Sequence, residues 1–99
     1  MLYAIMGEDS PQSLDRRKAA RPAHLQRIEA LRDEGRLVIA GPHPAIDSPD
    51  PGPAGFTGSL IVAEFPSLED AKRWAAEDPY VTAGVFAKVD VKPFRQVLP

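Results

Sequence analysis

Four short apolar runs limit what this chain can fold into. Leu2-Tyr3-Ala4-Ile5-Met6 is apolar at every position and ends at Gly7. Arg36–Gly41 encloses a second run, Gly58–Phe65 a third, and Val85–Phe94 a fourth. Runs this short, rich in residues that suit a pleated surface, read as strands, because a helix needs roughly ten residues or more. The first and third are apolar on both faces of a strand, which marks them as the buried centre of a sheet. In the fourth, Val85, Ala87, Val89 and Val91 alternate with Phe86, Lys88, Asp90 and Lys92, and Pro93 lies near the end. One apolar and one charged face, with a proline, describe an edge strand guarded against further pairing.

Between the first and second runs, Gln12–Glu34 has a helical pattern interrupted by Pro22. Proline inside a helix loses a hydrogen bond and clashes with the preceding turn. The expectation is therefore a short helix or turn over Pro11–Ala19, started at Ser10-Pro11, and then a main helix with Pro22 in its first turn. Leu25, Ile28 and Leu31 form its apolar stripe, Arg27, Arg32 and Asp33 face solvent, and Gly35 stops it. Between the third and fourth runs, Ser67 opens a second helix with Asp70 placed to answer it. Leu68, Ala71 and Ala75, joined by Trp74, turn inward, and the helix ends by Asp78 because Pro79 follows. Asp78-Pro79-Tyr80 is a rigid corner. The stretch Pro42–Thr57 holds Pro42, Pro44, Pro49, Pro51 and Pro53 and reads as a stiff flap rather than a helix or central strand. Ile46 and Phe56 are the residues expected to pin it.

The order is β-α-β-β-α-β. Ninety-nine residues leave room for one domain, spanning 1–99. The fold class is α+β, a ferredoxin-like unit with strands one and three central and two and four at the edges. Two helices cover one face of such a sheet. The other face, holding Tyr3, Ile5, Ile61 and Ala63 or their alternates, is left for a partner, of which a second copy of the chain is the simplest.

Composition excludes several functions. The net charge of −2 argues against a nucleic-acid footprint, and no cysteine is present, which removes disulfides, thiolate metal sites and thiol nucleophiles. Gly55–Val62 loosely resembles an RNA-recognition strand but lacks its stacking aromatics. No run approaches membrane-spanning length and the start is too short for a signal segment, so the expected setting is cytoplasmic, without membrane attachment. Two histidines, His24 and His43, without ligand spacing give no basis for a metal site, even with Asp9 or Asp47 nearby, and no cofactor is called for.

Chemistry concentrates on the first helix. His24 carries the side chain that changes charge near neutral pH. A helix histidine satisfied by backbone or solvent is the plainer reading, and an acid/base group at a pocket mouth is the sharper one. Arg17, Arg21, His24 and Ile28 fall at spacings of four, three and four, so a continuous helix would line them up beside the core stripe. Guanidinium groups there disfavour an imidazolium and suit an anionic ligand. A solvated basic face would show the same spacing.

With these elements in place the chain resembles the YciI-like proteins, of the dimeric α+β barrel group. The resemblance rests on Met1–Met6, Arg21 with His24-Leu25, Ala40-Gly41-Pro42, Gly55–Ser59, Trp74-Ala75, Asp78-Pro79-Tyr80 and Val91–Phe94, nearly end to end. It implies a ferredoxin-like homodimer and a pocket whose catalytic histidine and aspartate are His24 and Asp78. It also implies kinship with a dehydrochlorinase of a chlorinated hydroxyquinol and, in wider fold, with muconolactone isomerases. Such a pair suits general acid/base proton transfer of the isomerase, lyase or dehydrohalogenase type on a small organic acid or cyclic substrate. Arg17 and Arg21 would hold its oxygens, and Tyr80 would donate a hydrogen bond. The competing expectation is a non-catalytic ligand-binding or structural dimer module.

Overall fold

A computed structural model describes all residues, Met1–Pro99. The first strand, β1, spans Leu2–Asp9, and the first helix, α1, spans Leu14–Asp33. Strands β2 (Leu37–Pro44) and β3 (Phe56–Glu64) follow, separated by a loop with one 3-10 turn at Gly52–Ala54. Helix α2 (Leu68–Ala76), a one-turn helix α3 (Pro79–Thr82) and strand β4 (Phe86–Phe94) complete the chain. The strands form one antiparallel sheet in the order β2-β3-β1-β4. This is the ferredoxin-like arrangement, with β1 and β3 central as their two-sided apolar patterns require. No helix is long and apolar enough to cross a membrane.

Both main helices pack on the same sheet face. Tyr3 and Ile5 of β1 and Ile61 and Ala63 of β3 meet Ile28 and Leu31 of α1 and Ala71 and Ala75 of α2 in one core cluster. Burying a side chain such as Leu31 fully stabilises by about 1.5–3 kcal/mol. Of the two alternating sets that could face outward, Tyr3, Ile5, Ile61 and Ala63 thus lie inside. Their alternates, Ala4, Met6, Leu60 and Val62, line a groove on the opposite face, where the chain's end also contributes Gln96 and Leu98. In β2 the pairing steps from Leu37↔Ala63 to Ile39↔Val62, leaving Val38 as a bulge. Both Val38 and Ile39 border that outer groove and are largely exposed.

Several local expectations are corrected. Helix α1 is continuous through Pro22 and begins after Ser13, not at Ser10-Pro11. Pro22 lies on the exposed face, so its ring faces water, and what is lost is the bond to the Lys18 carbonyl. The ends of α1 are tied down elsewhere, which holds the helix together across that gap. At its far end Gly35, at φ +73°, lets the Arg36 N–H reach the Leu31 carbonyl at 2.9 Å. Strand β2 runs on through Pro42 and Pro44, which a sheet edge tolerates. The flap is therefore shorter than Pro42–Thr57. Its Ile46 is exposed and pins nothing.

Phe86 was expected on the charged side of β4. A register shift between Glu8 and Asp9 turns it to the helix side instead. Its ring lies across Gly7, where an added Cβ would stand 2.6 Å from it. Gly58 is equally constrained: a Cβ there would collide with the Gly7 carbonyl oxygen. These two glycines let β1, β3 and the Phe86 ring close up beneath the N-terminal half of α1.

Candidate functional site

The buried residues of α1 are Arg17, His24, Ile28 and Leu31. Two are apolar and belong to the core, and two are polar and need partners, because a buried polar group without one is costly. Both have them. Arg17 donates to Asp9 through Nε at 2.6 Å and Nη2 at 2.8 Å, and Nη2 also reaches the Gly58 carbonyl at 2.8 Å and Ser59 Oγ at 2.9 Å. Ser13 Oγ adds a 2.6 Å bond to Asp9 Oδ2, so the Ser13 side chain serves Asp9 instead of capping α1. The Arg17 guanidinium sits among the rings of Phe56, Tyr80 and Phe86, at 5.2, 5.0 and 5.9 Å from their centroids.

His24 finds Asp78, which is 54 residues away in sequence, with Nδ1 at 2.7 Å from Oδ1. Asp78 is placed by local chemistry. It is the N-cap of α3, and Oδ1 accepts the Tyr80 backbone N–H at 2.9 Å, with Pro79 fixing the first helical position. Capping aims the carboxylate, and the aimed oxygen meets His24. The Tyr80 ring then stacks on the imidazole, with centroids 3.7 Å apart and planes within 5°. Phe86 meets Tyr80 edge-on at 5.4 Å, so the packing over Gly7 holds the stack from behind.

An ionised carboxylate only accepts, so Nδ1 carries the hydrogen and Nε2 of a neutral ring is left with a free lone pair. Nε2 has no partner within the chain. It is not sealed either, since Arg27 Nη1 is the one unpartnered side-chain nitrogen or oxygen shut off from solvent. His24 lines a cavity of about 510 Å³ between α1 and the sheet. Phe56, Ile61 and Tyr80 form part of its apolar lining together with Leu25 and Ile28. Arg17, Lys18, Arg21 and Arg32 border it against a single acid, Glu29. Burial raises the Tyr80 pKa above its ordinary value, although the guanidinium groups of Arg17 and Arg21 lower it. The phenol therefore stays protonated and able to donate.

The structure thus brings His24, Asp78, Arg17, Arg21 and Tyr80 to one place. Arg17 is committed to Asp9 and the β3 backbone, whereas Arg21 is exposed at the cavity wall. His43 lies exposed on β2, and no three His, Asp or Glu side chains gather in a metal-holding group. Of the flap, only its roots, Pro42 and Phe56, touch the cavity. Two residues take roles here that their positions in sequence do not signal. Asp9 had no visible partner until the fold brought Arg17 to it. Arg27, expected in solvent, turns inward: it stacks on Trp74 at 4.3 Å, donates to the Trp74 carbonyl at 2.8 Å and puts Nη1 3.8 Å from Asp78 Oδ2.

Protein YciI of Escherichia coli is 60% identical over 97 residues, covering 98% of this chain and 99% of its own. An uncharacterized protein of Haemophilus influenzae is 54% identical over the same shares. Among solved structures, the 5-chloro-2-hydroxyhydroquinone dehydrochlorinase of Burkholderia phenoliruptrix, in complex with 2,5-dihydroxybenzoquinone, superposes with a TM-score of 0.83. It is 28% identical over 96% of this chain and 94% of that one. An antibiotic biosynthesis monooxygenase, at 18% identity and a TM-score of 0.51, covers 99% of this chain and 100% of its own, and shares the fold alone. The YCII-related domain matches residues 1–95, and with relatives this similar the chain belongs to the YciI-like family.

Proposed function

We propose that this chain is a small-molecule enzyme that moves a proton with the His24–Asp78 pair, in an isomerase, lyase or dehydrohalogenase type of reaction. The carrying observation is the 2.7 Å contact between His24 Nδ1 and Asp78 Oδ1, with Nε2 left open beside the cavity. Nε2 takes a proton from the substrate, and Asp78 holds the tautomer and stabilises the imidazolium that forms. Arg21, at the wall, faces the oxyanion that develops as the proton leaves, with Arg17 behind it. Tyr80 both stacks on the base and offers a hydroxyl. The similarity to a dehydrochlorinase supports an elimination in which proton loss drives halide departure. The substrate class is a small cyclic or unsaturated acid or an oxygen-rich ring. The working form is a homodimer in the cytoplasm, joined through the open sheet face.

A screen of lactones, muconates and halogenated hydroxyquinols, read as loss of a proton or halide, tests this. His24→Ala abolishes turnover while the fold persists, and Asp78→Asn lowers the chemical step on the order of a hundredfold to ten-thousandfold with binding little changed. If one compound binds and none is turned over, the chain is a ligand-binding module instead.

A further inference from the structure

Arg27 Nη1 is the one buried side-chain nitrogen or oxygen in this chain without a hydrogen-bond partner. Such a group is costly, and native structures seldom keep one without a use. Its neighbours point to that use. Asp78 Oδ1 is saturated by His24 and the Tyr80 N–H, while Oδ2 accepts no hydrogen bond. The charge facing Oδ2 is Arg27 Nη1 at 3.8 Å, too long for a hydrogen bond but close for an ion pair. The guanidinium is held in that place by the Trp74 carbonyl and the Trp74 ring, not by Asp78 itself. A carboxylate with a cation on one side and an imidazole on the other divides its attraction between them.

We infer that Arg27 is a positioning residue for the His24–Asp78 pair, a fixed counter-charge behind Asp78 that favours the imidazole in its proton-accepting form. Asp78 carries one negative charge. With Arg27 behind it, the pair needs no second positive charge, so the imidazolium gains less than it would from Asp78 alone. The cavity that His24 lines is also bordered by the charges of Arg17, Lys18, Arg21, Glu29 and Arg32 on the same helix, and Tyr80 on α3 is the other titratable side chain against the ring. They differ from Arg27 in lying on the cavity side. Arg17 is tied to Asp9 and the others face the open cavity, whereas Arg27 stands behind the carboxylate itself. The inference rests on His24 and Asp78 working as a pair, but its test needs no substrate.

The test follows the His24 ring nitrogens by 15N NMR across pH in the full chain. Arg27→Gln should raise the midpoint of His24 protonation by about one pH unit, a tenfold gain in proton affinity. Arg27→Lys, which keeps the charge, should stay close to the parent. If Arg27→Gln does not fold, Arg27→Met keeps the stem on Trp74 and gives the same reading. A second measurement is a thermal unfolding cycle with Asp78→Asn. Removing Asp78's charge strands Arg27, so the double variant should recover part of the melting temperature lost by Asp78→Asn alone. An unmoved midpoint with additive stability losses would make Arg27 a packing residue and overturn the inference. A failed search for turnover, with the midpoint shifted as expected, would sink the enzyme reading and leave this one standing.

Discussion

At position 80 one side chain meets three demands. Tyr80 sits in the turn that Asp78 caps, stacks on His24 and carries a phenol whose ionisation is opposed by burial. Because its folded pKa is raised above the unfolded 10.0, its favourable contribution is complete below that pH. That contribution drains away as pH rises through the folded value, because the unfolded chain loses the proton first. Urea unfolding between neutral pH and strongly alkaline pH should therefore show a steeper loss of stability for the parent than for Tyr80→Phe. Parallel curves would mean that the hydroxyl plays no part in the alkaline loss. Arg27 owes its place to its surroundings. Nothing in its sequence position distinguishes it from Arg32, yet one stacks inward on Trp74 and the other is exposed.

Among the elements, α1 shows how tertiary contacts override local preference. An interior proline costs a helix about 3 kcal/mol relative to alanine. The helix persists because Arg17, before Pro22, is bound to Asp9 and β3, and His24, just after it, is bound to Asp78. Exposed Pro22 touches neither partner, so Pro22→Ala should stabilise the protein by about 1–3 kcal/mol, seen as a higher melting temperature with His24 still paired. A lower melting temperature would show that the break in the ladder is needed to seat one of the two anchors. Helix α3 works in reverse: a single turn, too short to be stable alone, persists because its cap is also the partner of His24.

For the whole molecule, the open sheet face is the unfinished surface. Ala4, Met6, Leu60 and Val62 border a groove of about 740 Å³, and Val38 and Ile39 are 46% and 58% exposed at its side. Apolar area of that kind favours association. Light scattering should report twice the chain mass of 10.8 kDa for the parent. Ile39→Lys, at an exposed position the monomer's core does not use, should halve it without loss of secondary structure. A parent that stays monomeric at micromolar concentration would remove the dimer from the proposed function.

Much of this protein was legible in the chain itself. The two-sided apolar patterns of β1 and β3, the capping pair Ser67 and Asp70 and the stop at Gly35 are local, and local sterics and hydrogen bonding carry them into the fold unchanged. The spacing of Arg17, Arg21, His24 and Ile28 is helical arithmetic, so once α1 is continuous they share one cavity wall. What sequence could not decide depends on partners far along the chain. The continuity of α1 through Pro22, the turn of Phe86 over Gly7 and the face of the sheet taken by Tyr3 and Ile5 each follow from contacts across the molecule. The inward turn of Arg27 has the same origin. A strand pattern apolar on both sides does not say which side the helices take. A one-residue register shift reverses a side chain's face, and only the closed sheet settles where that shift falls.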